Sequence, residues 1–160
     1  MEILIFSDSH GDSHRMQRVI KTHPDATHVL FCGDGVEDLI TLEAAFPKLV
    51  FLSVRGNCDG FSFSDIPTER AFTLFAHRFL MMHGHTHGVK GGYGVAAMYA
   101  AAQGADFLLF GHTHDPYEGW VDVGEKKIQL FNPGSIGKGS YGVLTIRENG
   151  CLFSHGQAYI

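Results

Sequence analysis

Residues 1–35 read MEILIFSDSHGDSHRMQRVIKTHPDATHVLFCGDG and contain the unit from which the rest of the fold can be predicted. The runs Glu2–Phe6 and Thr27–Cys32 are largely apolar at consecutive positions, which is typical of strands buried on both faces. Between them, the apolar residues of Met16–Ile20 recur at helical spacing. A strand, a helix and a second strand of this kind predict a parallel βαβ unit and an α/β fold.

The same alternation continues through a helix that begins near Val36 and a strand at Leu49–Val54, and then it changes. From Glu69, the runs RAFTLFA and RFLMM predict a hairpin. The alanine-rich segment Gly94–Gln103 predicts a helix, Asp106–Phe110 a strand, and the last quarter a series of short strands with turns such as GEK and ENG. We therefore expect two mixed sheets packed face to face, with the helices outside.

Length and composition are those of an ordinary globular protein. The 160 residues suffice for one domain with its own core, and 12 basic against 17 acidic residues give a net charge of −5. Without a basic stripe, this balance argues against stable nucleic-acid binding. Three widely spaced cysteines predict neither a disulfide framework nor a CxxC metal site. Reduced thiols and short apolar runs lead us to expect a cytoplasmic protein that is not membrane-bound.

Polar clusters follow five of the predicted strands, and they contain the motifs DSH, GD, GNCD, HGH and GHTH. Ligands of open α/β sheets gather outside the carboxyl ends of parallel strands, so we expect these side chains to meet at one rim. The candidates are Asp8, His10, Asp34, Asn57, His83, His112 and His114. This mixture of oxygen and nitrogen ligands suits Mn²⁺, Fe, Co, Ni or Zn²⁺ better than Ca²⁺, and seven ligands are too many for one ion.

Each motif taken alone has a more ordinary explanation. Asp8 could cap a helix or shape a turn, and Gly33-Asp34 and Gly56-Asn57 are common turn pairs. A single histidine at a strand end is more often structural than a ligand. The coincidence at five strand ends favours a metal centre. In an extended His112-Thr113-His114 segment, both imidazoles would project from the same face and reach that centre together.

The ordered motifs DxH, GD, GNxD, HGH and GHTH resemble those of the calcineurin-like metallophosphoesterases. The short length, GNCD and the NPGS sequence at Asn132–Ser135 resemble the small bacterial and archaeal phosphodiesterase branch related to the retromer subunit Vps29. The resemblance covers Asp8–His114. It implies a four-layer αββα fold, a two-sheet mixed β-sandwich flanked by helices, with residues 1–160 as a single metallophosphoesterase domain.

The resemblance also implies two divalent transition-metal ions, with Mn²⁺ first and Ni, Co, Fe or Zn as alternatives. The implied ligand sets are Asp8, His10 and His114 for one ion, Asn57, His83 and His112 for the other, and Asp34 as the bridge between them. A hydroxide bridging the ions would then attack the phosphorus of a small phosphodiester in line, and the ions would neutralise the phosphoryl oxygens.

Cys58 departs from the wider superfamily, in which many members have a histidine that is taken to help protonate the leaving group. A thiol with a pKa of about 8.5 is a poor acid near neutral pH. His85 and Asp59 are candidates for supplying the proton instead. We expect phosphodiesters with acidic leaving alcohols, such as aryl esters, to be better substrates than alkyl monophosphates.

Two other functions remain open on the same fold. A non-catalytic interaction module, as Vps29 is thought to be in a coat assembly, would not need a complete ligand set. A mononuclear metal hydrolase would leave Asn57 and His83 without a role. The complete set favours the enzyme. The Phe-rich stretch Phe61–Ile66 would permit a homo-oligomer without requiring one.

Overall fold

Ten strands form two five-stranded sheets in the computed structural model, which describes residues 1–159. Three α-helices accompany them. In chain order the elements are β1 Glu2–Phe6, α1 Ser13–Thr22, β2 Ala26–Phe31, α2 Val36–Ala45, β3 Val50–Ser53, β4 Glu69–Leu74, β5 His77–Met82, α3 Gly94–Ala102, β6 Phe107–Leu109, β7 Tyr117–Val123, β8 Lys126–Asn132, β9 Ser140–Arg147 and β10 Gly150–Gln157. Each predicted helix and strand is present, with ends that differ by a residue or two.

The first sheet has the strand order β10-β9-β1-β2-β3. Strands β1, β2 and β3 are parallel, as the βαβ pattern predicts, whereas β9 and β10 extend the sheet in antiparallel fashion. Helices α1 and α2 cover its outer face. The apolar stripe of α1, which includes Met16 and Val19, is buried against Leu4, Phe6 and Val29 of the sheet.

The second sheet has the order β4-β5-β6-β8-β7. Strands β4 and β5 form the predicted hairpin, and β5, β6 and β8 run parallel. Helix α3 covers the outer face with Ala96, Ala97 and Ala100, all fully buried. Because these side chains are small, the helix can approach Leu80 and Leu108 of the sheet closely.

The inner faces of the two sheets pack against each other through large apolar side chains. Phe79 and Phe131 of the second sheet lie in one cluster with Ile5 of the first, and the ring of Phe131 stacks on Phe153 at 4.8 Å. Gly142 lies directly against Phe131, where a Cβ would overlap the ring. The result is a helix–sheet–sheet–helix sandwich, which confirms the predicted fold class.

The parallel strands of both sheets deliver their carboxyl ends to one rim of the sandwich. His83 follows β5 in the second sheet, and its Nδ1 lies 2.7 Å from the carbonyl oxygen of Cys32, which follows β2 in the first. The chain therefore leaves both sheets at the same edge, and the polar loops meet there. Within residues 1–159, no helix has the length and apolar character needed to cross a bilayer.

Candidate metal centre

Asp8 follows β1 at this rim of the sandwich, and its side chain is fully buried. Its backbone N–H donates to Gly33 O at 2.9 Å. One carboxylate oxygen, Oδ2, accepts hydrogen bonds from Ser7 Oγ at 2.6 Å and from His112 N at 3.1 Å. These contacts fix the direction in which the other oxygen, Oδ1, points.

Asp8 Oδ1 is buried and accepts no hydrogen bond from any of the described residues 1–159. It lies 3.2 Å from His114 Nε2, 3.7 Å from His10 Nε2 and 3.8 Å from His83 Nε2. A buried oxygen without a partner is costly, and a cation removes that cost. Two ligand atoms about 2.1 Å from one tetrahedral ion lie roughly 3.4 Å apart, so this spacing fits a shared metal ion.

A second group comprises Asp34, His83 and His112, whose potential ligand atoms lie within 4.8 Å of one another. His83 Nε2 is 3.1 Å from Asp34 Oδ2 and 3.2 Å from His112 Nδ1. The contact between His83 Nδ1 and Cys32 O orients Nε2 towards the centre, as outer hydrogen bonds do for metal-binding histidines. These three residues could hold an ion.

Asp34 lies between the two groups. Besides its contact with His83, it forms a further set with His10 and Cys58, whose potential ligand atoms also lie within 4.8 Å of one another. Asp34 Oδ1 accepts a hydrogen bond from Cys58 N at 2.8 Å. This position agrees with the bridging role, which stays a prediction.

The buried carboxylates and imidazoles of the centre shift one another's pKa values. Burial raises the pKa of Asp34, but the hydrogen bond and charge of His83, helped by Cys58 N–H, outweigh it and hold that pKa below its ordinary value. Burial lowers the pKa of His83, but Asp34 and Asp8 outweigh it and the pKa is raised. Burial and the nearby His83 lower the pKa of His112, which favours the neutral imidazole that binds metals.

Backbone strain is concentrated on the predicted ligands. Among residues 1–159, seven non-glycine residues have positive φ, and five of them are predicted ligands, namely Asp8, His10, Asp34, His112 and His114. This conformation is unfavourable for residues with a Cβ, and it persists only where surrounding contacts impose it. Such strain is frequent at functional sites. No periodicity in the sequence signals it.

The segment His112-Thr113-His114 is therefore not extended, and that prediction is wrong. His112 has φ 69° and His114 has φ 64°, so the chain curls between them. The two imidazoles consequently reach different groups: His112 Nδ1 lies 3.2 Å from His83, and His114 Nε2 lies 3.2 Å from Asp8. One loop still serves the whole centre.

Asn57 lies in the loop after β3, and its side chain is exposed. The amide nitrogen Nδ2 contacts Cys58 Sγ at 3.5 Å. The loop can lie against the centre because residue 56 is a glycine, since a Cβ there would overlap Asp34 Oδ1. Both chain neighbours of Asn57 therefore lie against Asp34, because Gly56 packs on its Oδ1 and Cys58 N donates a hydrogen bond to it. The role of Asn57 as a ligand stays a prediction.

Asp59 has a structural role that the sequence did not indicate. Its carboxylate accepts four backbone N–H groups, from Asp34 at 2.9 Å, Gly35 at 2.8 Å, Val36 at 3.1 Å and Gly56 at 2.7 Å. It thereby caps the amino end of α2 and joins the loops after β2 and β3. These contacts argue against Asp59 as a proton donor, since a proton on either oxygen would displace a backbone donor, and its predicted role as donor stays untested.

His85 lies beside the centre, with its ring centroid 5.5 Å from that of His83 and 6.1 Å from that of His112. Its Nδ1 is buried and has no hydrogen-bond partner among residues 1–159. Burial and the charge of His83 lower the pKa of His85. Its predicted role in protonating a leaving group stays a prediction.

A cavity of about 190 Å³ opens beside the centre, and its wall includes His10, Asp34, Asp38, Cys58 and Phe63. A larger cavity of about 470 Å³ lies elsewhere, where Pro24 and Pro47 follow the helices α1 and α2. None of the predicted ligands lines the larger cavity. The smaller cavity is therefore the one that chemistry at the centre would use.

Comparison with known sequences identifies relatives over almost the whole chain. The sequence profile of the calcineurin-like phosphoesterase superfamily domain matches residues 1–149. A Bacillus subtilis protein named probable metallophosphoesterase YsnB is 34% identical over 157 residues, which cover 93% of this chain and 86% of that protein. A probable metallophosphoesterase of Mycoplasma pneumoniae is 31% identical over 141 residues, covering 84% of this chain and 79% of that protein.

Comparison with solved structures shows the same architecture. A Streptococcus pneumoniae protein described as a predicted phosphoesterase superposes with a TM-score of 0.78 at 23% identity, covering 98% of this chain and 89% of that one. Entamoeba histolytica Vps29 in complex with zinc superposes with a TM-score of 0.72 at 19% sequence identity, covering 99% of this chain and 100% of that one. A protein described as an archaeal phosphodiesterase superposes with a TM-score of 0.71 at 22% sequence identity, covering 97% of this chain and 99% of that one. At these identities the likeness shows a shared fold.

Proposed function

The chain belongs to the small Vps29-like branch of the calcineurin-like phosphoesterase superfamily, and from this premise we propose that it is a dinuclear metal-dependent phosphodiesterase. The observation that carries the proposal is Asp8 Oδ1, a buried carboxylate oxygen that faces the imidazoles of His10, His83 and His114 and has no hydrogen-bond partner in the part of the chain that the structure describes. A protein used only as a scaffold has no need of such a group.

The proposed ligands are Asp8, His10 and His114 for one ion, Asn57, His83 and His112 for the other, and Asp34 for both. Mn²⁺ is the proposed metal, and Ni, Co, Fe and Zn suit the same ligand types. When bound, two such ions lower the pKa of a water molecule so that it can attack phosphorus near neutral pH, and they neutralise charge on the phosphoryl oxygens.

The chain's own residues would orient the substrate through the shape of the rim. Asp8 and His83 are fully buried and form its floor. The side chains of His10 and His114 are 41% and 31% exposed, so the centre is accessible from their side. A phosphodiester would therefore approach past these two imidazoles, with one of its alcohol groups directed towards the cavity beside Phe63.

Protonation of the leaving group is the weak step in this arrangement. Burial and the charge of Asp34 raise the pKa of the Cys58 thiol, which makes it a poorer acid than a free cysteine. Asp59 is occupied by backbone donors, which leaves His85 as the proposed donor. Because its pKa is lowered, less of His85 is protonated near neutral pH than of a free histidine. We therefore expect the enzyme to favour aryl diesters, whose alcohols leave without a proton.

The relatives agree with a phosphoesterase, and one structural neighbour is described as an archaeal phosphodiesterase. The alternative is a non-catalytic interaction module. Metal binding by itself is not evidence of turnover, and an Entamoeba histolytica Vps29 is described in complex with zinc. Turnover separates the two functions.

The test is hydrolysis of bis-p-nitrophenyl phosphate by metal-stripped protein after addition of Mn²⁺, Ni²⁺, Co²⁺ or Zn²⁺. Turnover should be absent without metal and should appear with at least one of the four ions. The corresponding monoester should be the slower substrate. Binding of two ions with no hydrolysis of either ester would support the interaction module and overturn the proposal.

A further inference from the structure

Residues 132–137 comprise the last residue of β8 and most of the connection to β9, and they form hydrogen bonds with the loops of the candidate metal centre. The connection crosses from the second sheet to the first, because β8 lies in one and β9 in the other. We call these residues the crossover segment. Its sequence, NPGSIG, contains none of the proposed ligands. Two of its side chains, Asn132 and Ser135, are nevertheless polar and buried, with 0% and 2% exposure.

Asn132 holds the loop that carries two of the proposed ligands. Its Nδ2 donates to Gly111 O at 3.1 Å and to Thr113 Oγ1 at 3.0 Å, so it grips the chain on both sides of His112. Its Oδ1 accepts from Gly134 N at 2.9 Å. Both donors and the acceptor of the amide are therefore used, which fixes the orientation of the side chain.

Ser135 and the two residues after it hold a second loop, the one that carries Asp8. Ser135 Oγ donates to Asp8 O at 2.8 Å. The backbone N–H groups of Ile136 and Gly137 donate to Ser7 O at 3.0 Å and to Asp8 O at 3.3 Å. Three hydrogen bonds from the crossover segment thus end on the backbone at and immediately before Asp8.

Both loops need such support, because their ligands have strained backbones. Asp8, His112 and His114 have φ values of 55°, 69° and 64°. Residues with a Cβ keep this conformation only where the surroundings impose it. The crossover segment supplies hydrogen bonds to the loops from both sheets, so it can hold ligands from the two sheets in register with each other.

We propose that Asn132 and Ser135 are positioning residues that set the geometry of the metal centre by clamping the Asp8 loop to the His112–His114 loop. This inference rests on the proposed function, since it concerns the same ions. It assigns a task to two residues that touch neither ion nor substrate. The ordinary alternative is that the hydrogen bonds stabilise the fold as a whole and have no particular effect on the centre.

The test compares Mn²⁺ binding to metal-stripped wild-type protein, Asn132→Asp and Ser135→Ala by titration calorimetry. Asn132→Asp keeps the acceptor for Gly134 N but loses both donors to the His112 loop. Replacing outer partners of metal ligands weakens metal binding by about 10–100-fold, and we expect both variants to show a loss of that size. The matched control is Ser140→Ala, which loses a buried hydrogen bond to Pro133 O (2.7 Å) in the same region.

A second readout needs no metal. In the metal-free state, amide hydrogen exchange across residues 111–115 should be faster in Asn132→Asp than in wild-type protein and unchanged in Ser140→Ala. Two results together would overturn the inference. The first is an exchange rate of residues 111–115 in Asn132→Asp equal to that of wild-type protein, and the second is a Mn²⁺ affinity within about twofold of wild type in both Asn132→Asp and Ser135→Ala, where positioning residues should show a larger loss. An equal loss of affinity in Ser140→Ala would also overturn it. If wild-type protein bound no Mn²⁺, the proposed function would fail, and the exchange experiment would still decide whether the clamp exists.

Discussion

Asp34 and His83 meet across the two sheets, with Asp34 Oδ2 3.1 Å from His83 Nε2 and both side chains buried. Asp34 follows β2 in the first sheet, and His83 follows β5 in the second. The centre is therefore shared between the sheets, and neither sheet alone could form it. A change at this contact should affect both of the proposed ions.

Asp34→Asn should abolish activity by weakening both ions, because the amide removes the charge of the one carboxylate placed between the two groups. We expect Mn²⁺ affinity to fall by about 100-fold or more and the bound stoichiometry to drop below two, as measured by equilibrium dialysis. Asp65→Asn is the control, since Asp65 is exposed. Two tightly bound ions in Asp34→Asn would contradict the bridging assignment.

The rate should depend steeply on the leaving alcohol of the diester. Neither Cys58 nor His85 is well suited to give a proton, because the pKa of Cys58 is raised and that of His85 is lowered. We expect kcat to rise as the pKa of the leaving alcohol falls across a series of substituted phenyl diesters. Cys58→Ser should leave the slope of that plot unchanged. A slope near zero in wild-type protein would show that a proton donor has been overlooked.

Asp59→Asn should destabilise the fold, because an amide can accept at only one of the two positions that now bind backbone N–H groups. Hydrogen bonds to charged groups contribute about 1.5–3 kcal/mol each, and we expect a loss of about that size in urea unfolding. Asp65→Asn again serves as the control. An unchanged unfolding free energy combined with lost activity would restore Asp59 as a candidate proton donor.

Gly142→Ala should destabilise the interface between the sheets, because the added Cβ would overlap the ring of Phe131. Overpacking of this kind costs about 1–3 kcal/mol. Gly150→Ala is the matched control, since among residues 1–159 no atom other than those of its chain neighbours lies within 4 Å of the position of its Cβ. Thermal unfolding of the two variants should differ accordingly. Equal stability of both would mean that the sheets can separate slightly without cost.

The ion pair of Asp106 with Arg78 should make a small pH-dependent contribution to stability. Burial raises the pKa of Asp106, but the hydrogen bonds and charge of Arg78 outweigh it and hold the pKa below its ordinary value. The contribution is therefore complete above the unfolded pKa of about 3.9 and is lost as the pH falls through the lower folded value. The pair is partly exposed, so we expect less than about 1 kcal/mol.

Urea unfolding of metal-free wild-type protein and Asp106→Asn at pH 7 and pH 3 measures this contribution. The wild-type advantage should be larger at pH 7 and smaller at pH 3. The control is Asp122→Asn, whose carboxylate is 77% exposed and lies 3.8 Å from Lys127 Nζ. A wild-type advantage that grows on acidification would contradict the lowered pKa of Asp106.

The local pattern of apolar and polar residues was sufficient to predict the helices and strands and their order along the chain. The spacing of Met16, Val19 and Ile20 located α1, and the apolar run Thr27–Cys32 located β2 to within a residue at each end. The motifs also named the histidines and aspartates whose potential ligand atoms lie within 4.8 Å of one another in each candidate group, and their roles as ligands stay predictions. The elements could be predicted because helix and strand periods act on neighbouring residues, and the location of the polar clusters followed from the rule that ligands collect at strand ends.

The tertiary structure alone decided the hydrogen-bond partners at the rim and the backbone conformation of the loops. Asp59 follows the GNC motif as an ordinary acidic residue, and its role depends on N–H groups from two loops that lie apart in the chain. The curl at His112 and His114 and the clamp by Asn132 have the same origin. Periodicity describes how one segment contacts its surroundings, whereas these partners become neighbours only once the two sheets have packed together.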